Sequence, residues 1–166
     1  SQVLPKDYIQ QRDIEIVLSE MAEQVSIRLR KAHKKASTVS IFVGYSRIEN
    51  KKPISTQRKI EPTNNTKILT ETVLSLFRSK HSRGAVRQIG VRYDDFVDES
   101  FSLLSLFDDY ESIEKEDKLQ QSIDSIRNEF GFLAIQKATS LLESSRSIAR
   151  SKLIGGHSAG GLEGLK

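Results

Sequence analysis

The chain contains no cysteine. That excludes disulfides, thiolate chemistry and most structural zinc sites, and it fits a reducing, cytoplasmic setting. No stretch approaches the roughly 18 consecutive apolar residues of a membrane-spanning helix. No signal-peptide pattern opens the chain. Tryptophan is absent and aromatics make up only 7% of residues, so a broad stacking platform for bases has little to be built from. No internal repeat is visible. What is present is ordinary globular material: 166 residues, 37% hydrophobic and 29% charged, enough for one domain with an addition or for two small ones. The first residue is Ser1 rather than Met and a strand-like run begins almost at once, which predicts a piece excised from a longer protein.

Charge is unevenly spread. Residues 1–93 hold 18 Lys+Arg against 8 Asp+Glu, a net +10; residues 94–166 hold 8 against 14, a net −6, and the two sum to +4. A basic half suggests a polyanionic partner. Just past the reversal lies Leu103-Leu104-Ser105-Leu106-Phe107, an apolar pentad among acids. Exposed in a linker, it would suit a protein groove; the competing reading is a last strand or a turn covering the core.

Hydrophobic periodicity orders the rest. Gln2-Val3-Leu4 reads as a short strand closed by Pro5. From Arg12 to about Lys35, Ile14, Leu18, Met21, Val25, Leu29 and Ala32 recur at helical steps. The cations of its last turn suit the helix dipole. Thr38 to Ser46 alternates as a strand, and Ile54 to Ile60 forms a second strand after a charged loop. Asn64-Asn65-Thr66 offers capping oxygens for a helix running to about Lys80, with Leu69, Val73, Leu76 and Phe77 inward. Ala85 to Tyr93 is the fourth strand. The order βαββαβ predicts an α+β fold: a four-stranded antiparallel sheet with two helices on one face. The predicted divisions are a sheet domain at 1–97, an acidic linker at 98–117 and a small helical C-terminal extension at 118–166. In the extension, Leu119, Ile123, Ile126 and Phe130 line up on a helix from Lys118. Leu133 to Thr139 is a short strand or irregular, Ser144 to Lys152 a weak basic helix, and the Gly-rich end from Gly155 is expected to be mobile.

Catalytic groupings are poor. Asp94-Asp95 and Asp108-Asp109 are neighbours in a solvated stretch, whereas metal-dependent chemistry needs carboxylates held rigidly around a cation. His33, His81 and His157 lie far apart in sequence. The run Gly155-Gly156-His157-Ser158-Ala159-Gly160-Gly161 lacks GxGxxG or Walker spacing. The sheet's uncovered face is richer. Arg87, Gln88 and Arg92 on the fourth strand, Ser55, Gln57, Arg58 and Lys59 on the third, and Ser40 and Ser46 on the second combine hydroxyls, amides and cations. That mixture holds phosphate oxygens without reading bases; the alternative is an ordinary charged surface. About five phosphate contacts would give a log–log salt slope of about −4 to −5 on duplex DNA.

The element order, with Arg87-Gln88-Ile89-Gly90-Val91-Arg92 as last strand, resembles the little-finger domain of Y-family translesion DNA polymerases. That domain closes on a strand of similar IRxIGVR form, followed by a linker and a clamp-binding peptide of QLSLF type. Leu103-Leu104-Ser105-Leu106-Phe107 fills the peptide's place here. The helix–strand–hairpin spacing matches too, including Arg58-Lys59-Ile60 before Glu61-Pro62-Thr63. Residues 1–8 and the tail Lys152-Leu153-Ile154-Gly155-Gly156-His157 are similar to the UmuC-like UV-damage-repair subgroup of Gram-positive bacteria. The resemblance implies a sheet face lying in the major groove of primer-template duplex DNA, gripping both backbones. It implies Leu104, Leu106 and Phe107 plugged into a β sliding clamp, and a regulatory protein at the tail. It assigns Mg²⁺ and catalysis to a palm absent from this chain, which by itself should polymerise nothing and bind no cofactor. Two positions depart from the family: Leu103 stands where it has Gln, and Gln88 replaces one of its paired arginines. Two rival classes stay open, a ferredoxin-like RNA-binding module and a protein-interaction adaptor whose basic charge only solubilises.

Overall fold

The computed structural model describes residues 1–100, 110–154 and 157–158. Strand β1 (Gln2–Tyr8), helix α1 (Gln11–Lys31), strands β2 (Lys34–Tyr45) and β3 (Ile54–Thr63), helix α2 (Thr66–Lys80) and strand β4 (Val86–Asp98) follow in the predicted order. The sheet is antiparallel with strand order β1-β4-β2-β3. α1 and α2 cover one face. Ile14, Val17, Leu18 and Leu29 of α1 and Leu69, Val73, Leu76 and Phe77 of α2 meet Val39, Ile41, Val43, Ile89, Val91 and Tyr93 of the sheet in one buried core.

Local chemistry explains the element ends. The Asn65 side chain accepts from the backbone N–H groups of Lys67 (2.9 Å) and Ile68 (3.1 Å), capping α2 as its sequence predicts. His33, at φ 52°, turns the chain from α1 into β2. Gly84, at φ 130° and against the Tyr45 ring, does the same ahead of β4, where a side chain would be strained. β1 runs past Pro5 to Tyr8, further than predicted. Pro5 falls where pairing to β4 is interrupted between Val3 and Tyr8, on an edge strand that needs no N–H there. β4 likewise outlasts Tyr93, because residues 94–98 continue the ladder along β2 down to Lys34↔Asp98.

Beyond β4, α3 (Tyr110–Phe130) begins eight residues before the predicted Lys118. The acidic residues 110–117 are therefore helical rather than linker. One-turn 3₁₀ segments at Phe132–Ala134 and Ala138–Leu141 replace the optional strand. A short helix α4 (Ser147–Ser151) and a two-residue antiparallel ladder, β5 (Leu153–Ile154) with β6 (His157–Ser158), follow.

The extension is fastened to α1 and to the β1 edge by polar groups. Asp124 of α3 takes two hydrogen bonds from the Arg30 guanidinium, at 2.6 and 3.1 Å. Arg127 donates to Glu23 (3.0 Å) and to the Ile135 carbonyl (2.8 and 3.1 Å). Glu20 accepts from the Ser145 hydroxyl and from the Arg146 backbone N–H (2.9 Å). Arg150 donates to the Gln2 side chain at 2.8 and 3.0 Å. Tyr8 donates to the Ser144 carbonyl (3.0 Å). These contacts all lie on the helical side or at the β1 edge, and no described residue of the extension covers the other face of the sheet.

Candidate nucleic-acid interface

Strand register decides which side chains share the uncovered face. Ser40 is paired with Arg92 on one side and Gln57 on the other. Phe42 is flanked by Gly90 and Ser55, Gly44 by Gln88, and Thr38 by Lys59 and Asp94. Since side chains alternate along a strand, Ser40, Ser55, Gln57, Lys59, Gln88 and Arg92 stand on one surface, opposite the core residues Val39, Ile41 and Val43. Six of the nine predicted contact residues are thus brought together. Ser55, Gln57, Lys59 and Arg92 are exposed; Ser40 and Gln88 are half-buried.

The surface is flat at its centre. A Cβ on Gly90 would lie 3.3 Å from Ser1 Cβ and 3.4 Å from Phe42 Cβ, so any larger residue would crowd both neighbours. The Phe42 ring lies close over Gly44. Phe42 is the aromatic among these residues; Tyr93 is buried on the helical side, its hydroxyl donating to the Ala22 carbonyl at 3.1 Å. Burial of Tyr93 among apolar groups pushes its hydroxyl well above the ordinary tyrosine range, so it stays neutral. The Ser40 Oγ is buried at the floor of this face without a hydrogen-bond partner among the described residues.

Three predicted residues sit elsewhere. Arg58 is paired with Val39 and so projects to the helical side, where its guanidinium donates to the Ser75 hydroxyl of α2 at 3.1 Å. It is one residue out of phase with Gln57 and Lys59, and the expectation that it joins the open face is corrected. Ser46 lies past the end of β2, at the start of the 3₁₀ turn Arg47–Glu49 and held by its N–H to the Ala85 carbonyl (2.7 Å). Its place is the rim, not the face. Arg87 is the extra residue of a β-bulge, between Val86 (opposite Tyr45) and Gln88 (opposite Gly44). The bulge aims it toward β1, 3.6 Å from the Asp7 carboxylate. The pentad 103–107 lies outside the described residues.

Sequence reading missed two features. Asp94 shares the face with Arg92 and accepts from its Nε at 2.6 Å, although the Arg92 side chain remains 76% exposed. Their separation by two residues in a strand carried that signal. Arg47, Lys51, Lys52 and Arg83 collect at the rim, where Lys51 stands 5.4 Å above the Tyr45 ring and donates to the Arg83 carbonyl (2.6 Å). Their convergence comes from two loops distant in sequence. Beneath them His81 is stacked between Tyr45 and Phe77, its Nδ1 3.0 Å from the Tyr45 hydroxyl. Burial, and then the nearby Lys51 ammonium, hold its pKa below the ordinary 6.5.

Such a face can hold anionic oxygens with little capacity to read or stack bases. Among the described residues no group of three or more His, Asp or Glu side chains is placed to hold a metal ion. None of their helices is long and apolar enough to cross a membrane.

The sequence of residues 1–106 matches the C-terminal domain of the impB/mucB/samB family. The chain belongs to that family. Its relatives extend the match beyond the sheet domain. DNA polymerase IV 2 of Halalkalibacterium halodurans is 32% identical over 157 residues, 93% of this chain and 37% of the relative. UvrX of Bacillus subtilis, named for UV-damage repair, is 34% identical over 158 residues, 95% of this chain and 38% of the relative. DNA polymerase IV 2 of the same organism is 34% identical over 156 residues, 93% of this chain and 37% of the relative. The chain therefore spans less than two fifths of the length of these relatives. Because the matches cover more than nine tenths of it, the extension fastened to α1 belongs to the shared region along with the family's C-terminal domain.

Proposed function

We propose that this chain is the duplex-gripping C-terminal portion of a lesion-bypass DNA polymerase acting in DNA repair. The observation that carries the reading is the uncovered sheet face, where Ser40, Ser55, Gln57, Lys59, Gln88 and Arg92 converge while the chain's extension is fastened on the opposite side. Hydroxyls, amides and two cations on a flat β-surface suit sugar-phosphate oxygens, which carry no sequence information. A polymerase that must travel over damaged template gains from contacts indifferent to the base. Catalysis, with its Mg²⁺, is assigned to a palm in the remainder of the full-length protein. The setting that goes with this reading is the SOS response in the cytoplasm.

The finer part of the reading is a tether. Leu103, Leu104, Ser105, Leu106 and Phe107 would enter a groove on the β sliding clamp and raise the local concentration of enzyme at the fork. Burying three apolar side chains gains roughly 1.5–3 kcal/mol each, against an ordering cost of about 0.5–1.5 kcal/mol each and a larger rigid-body cost. The net is a weak contact that holds without locking.

Fluorescence anisotropy with labelled duplexes tests the DNA reading. With Arg58 on the other side, the cations in reach are Lys59, Arg92 and, past the bulge, Arg87. Three phosphate contacts give a log–log salt slope of about −2.7, shallower than the face read from sequence alone would give. Unrelated duplex sequences should bind alike. A slope near zero, or no binding at low salt, returns the protein to the class of interaction adaptors. Preference for single strands of RNA would favour the rival module, for which the half-buried Phe42 and Phe96 at the far end of β4 make a poor stacking platform.

A further inference from the structure

Helix α3 is amphipathic in the reverse sense from a helix packed on a core. The residues it turns to the body are polar: Asp124 meets Arg30, and Arg127 meets Glu23. Four of its large apolar residues stand aside, with Ile113 of the first turn on the other side and 41% exposed. Leu119, Ile126 and Phe130 are 57%, 37% and 70% exposed. With the half-buried Ile123 they recur at steps of four, three and four, the seam spacing of a coiled coil. At 3.6 residues per turn the four fall within a stripe about 60° wide, centred about 70° from Arg127 and about 130° from Asp124. The stripe is thus not the face that docks α3, and nothing described covers Leu119 or Phe130.

The charges beside it select a partner. Setting aside Asp117, Asp124 and Arg127, which face the body, α3 carries four acids (Glu111, Glu114, Glu116, Glu129) and two lysines (Lys115, Lys118), a net −2. Both lysines are already engaged within the helix, Lys115 with Glu111 and Lys118 with Glu114. A second copy of this chain would bring the same excess of negative charge to the seam, and an anionic membrane surface would be repelled. A helix flanked by Lys and Arg would meet Glu116 and Glu129, which have no ion-pair partner among the described residues, favourably.

We propose that the outer stripe of α3 is a docking surface for an amphipathic helix of a partner protein, apolar along its seam and basic at its flanks. The inference does not rest on the DNA reading, since the stripe and the open sheet face use no residue in common.

The test uses the whole chain and two synthetic helices of about four heptads with Leu and Ile on the seam, one flanked by Lys and one by Glu. Anisotropy should show the Lys-flanked helix binding at least about tenfold more tightly than the Glu-flanked one. Leu119→Ser with Phe130→Ser should abolish that binding while far-UV circular dichroism and duplex-DNA affinity stay unchanged, because both side chains are exposed. Glu116→Lys with Glu129→Lys, which keeps the seam, should reverse the preference between the two helices. Equal binding of the two helices, binding of neither, or full binding by the serine variant overturns the proposal. A dimer in sedimentation that the serine variant loses would reassign the stripe to a second copy and overturn it equally.

Discussion

Arg92 is the residue on which the open face can be tested most sharply, because its one close partner among the described residues stands beside it on the same strand. Its Nε lies 2.6 Å from Asp94, yet the side chain is 76% exposed. An ion pair that open to water is worth about 0–1 kcal/mol, so moving Arg92 from Asp94 to a phosphate costs at most about fivefold in affinity. Asp94→Asn removes that competitor and a negative charge that would face the backbone; duplex affinity at low salt should rise by up to about fivefold. Arg92→Ala should change the salt slope from about −2.7 to about −1.8. Between 50 and 200 mM salt the parent would then lose about 40-fold in affinity and the variant about 12-fold. In the double variant the part of the Asp94→Asn gain that comes from freeing Arg92 should vanish, leaving only the relief of direct repulsion. Arg58→Ala is the internal control: its guanidinium donates to Ser75 on the helical side, so the slope should not move. Anisotropy titrations of one labelled duplex at four salt concentrations measure all of these. If Arg58→Ala flattens the slope while Arg92→Ala leaves it intact, the duplex lies on the other face and the reasoning fails.

Further expectations follow from the tether, the buried ion pair and the stacked histidine. Leu106→Ala with Phe107→Ala should abolish pull-down of the β clamp and leave DNA affinity intact; unchanged capture of the clamp by the double variant would remove the tether from the account. Arg127 and Glu23 have side chains only 7% and 12% exposed, so Arg127→Ala leaves a buried carboxylate short of its main partner and should weaken docking of the extension by about 3–5 kcal/mol. Limited proteolysis should then cut within residues 110–152 first, whereas cutting no faster than in the parent would show that other contacts carry the docking. His81 is kept neutral in the fold, while the unfolded chain takes up its proton near the ordinary 6.5; its contribution is present above that pH and is lost as pH falls below it. Urea midpoints measured at pH 7.5 and 5.5 should differ less for His81→Phe, which keeps the ring stack, than for the parent; an equal drop in both would place the pH sensitivity elsewhere.

Sequence periodicity was enough for the sheet and its two helices because each of those elements buries one face, and burial writes its period into the sequence. The Asn65 cap and the inward set of α2 were legible for the same reason. Phase was harder. Arg58 sits between Gln57 and Lys59, and only the pairing of Thr38 with Lys59 and Val39 with Arg58 decides which of the three faces the helices. A one-residue step reverses a side chain, so composition of a strand cannot assign its face. Arg87 escaped because a bulge breaks the alternation. The start of α3 escaped because residues 111–117 are mostly charged and exposed, and such a stretch carries no hydrophobic period. The rim cations were illegible in principle, since loops at 47–52 and at 83 meet only in the fold.

Charge is sorted by face as well as by half, and the sorting bears on what a duplex would feel. Of the eight acids in residues 1–93, four lie on α1, as Asp13, Glu15, Glu20 and Glu23. Three of them are engaged on the helical side, Glu15 with Arg78, Glu20 with Arg150 and Glu23 with Arg127 and Lys137. At 3.6 residues per turn, Glu23 and Arg30 fall on the side of α1 turned away from Ile14, Leu18 and Leu29, so α3 lies a helix diameter beyond the core. Two packed layers of about 10 Å each then separate Asp124 of α3 from a ligand on the open sheet face, while Asp117 lies beside Asn65 at the end of the sheet. The Debye length is about 8 Å at physiological salt, and screening over twice that distance removes most of the repulsion Asp124 would exert. Fastening the acidic helix α3 behind α1, by a handful of polar contacts rather than a second core, therefore leaves Lys59 and Arg92, with Asp94 beside them, to set the local field at the face. A helix α3 released from α1 would lose that separation. For Arg127→Ala, which frees α3 with its excess of acids, this means weaker duplex binding at low salt that recovers toward the parent value as salt is raised; losing a phosphate contact gives the same direction, and faster proteolysis of the extension tells the two apart.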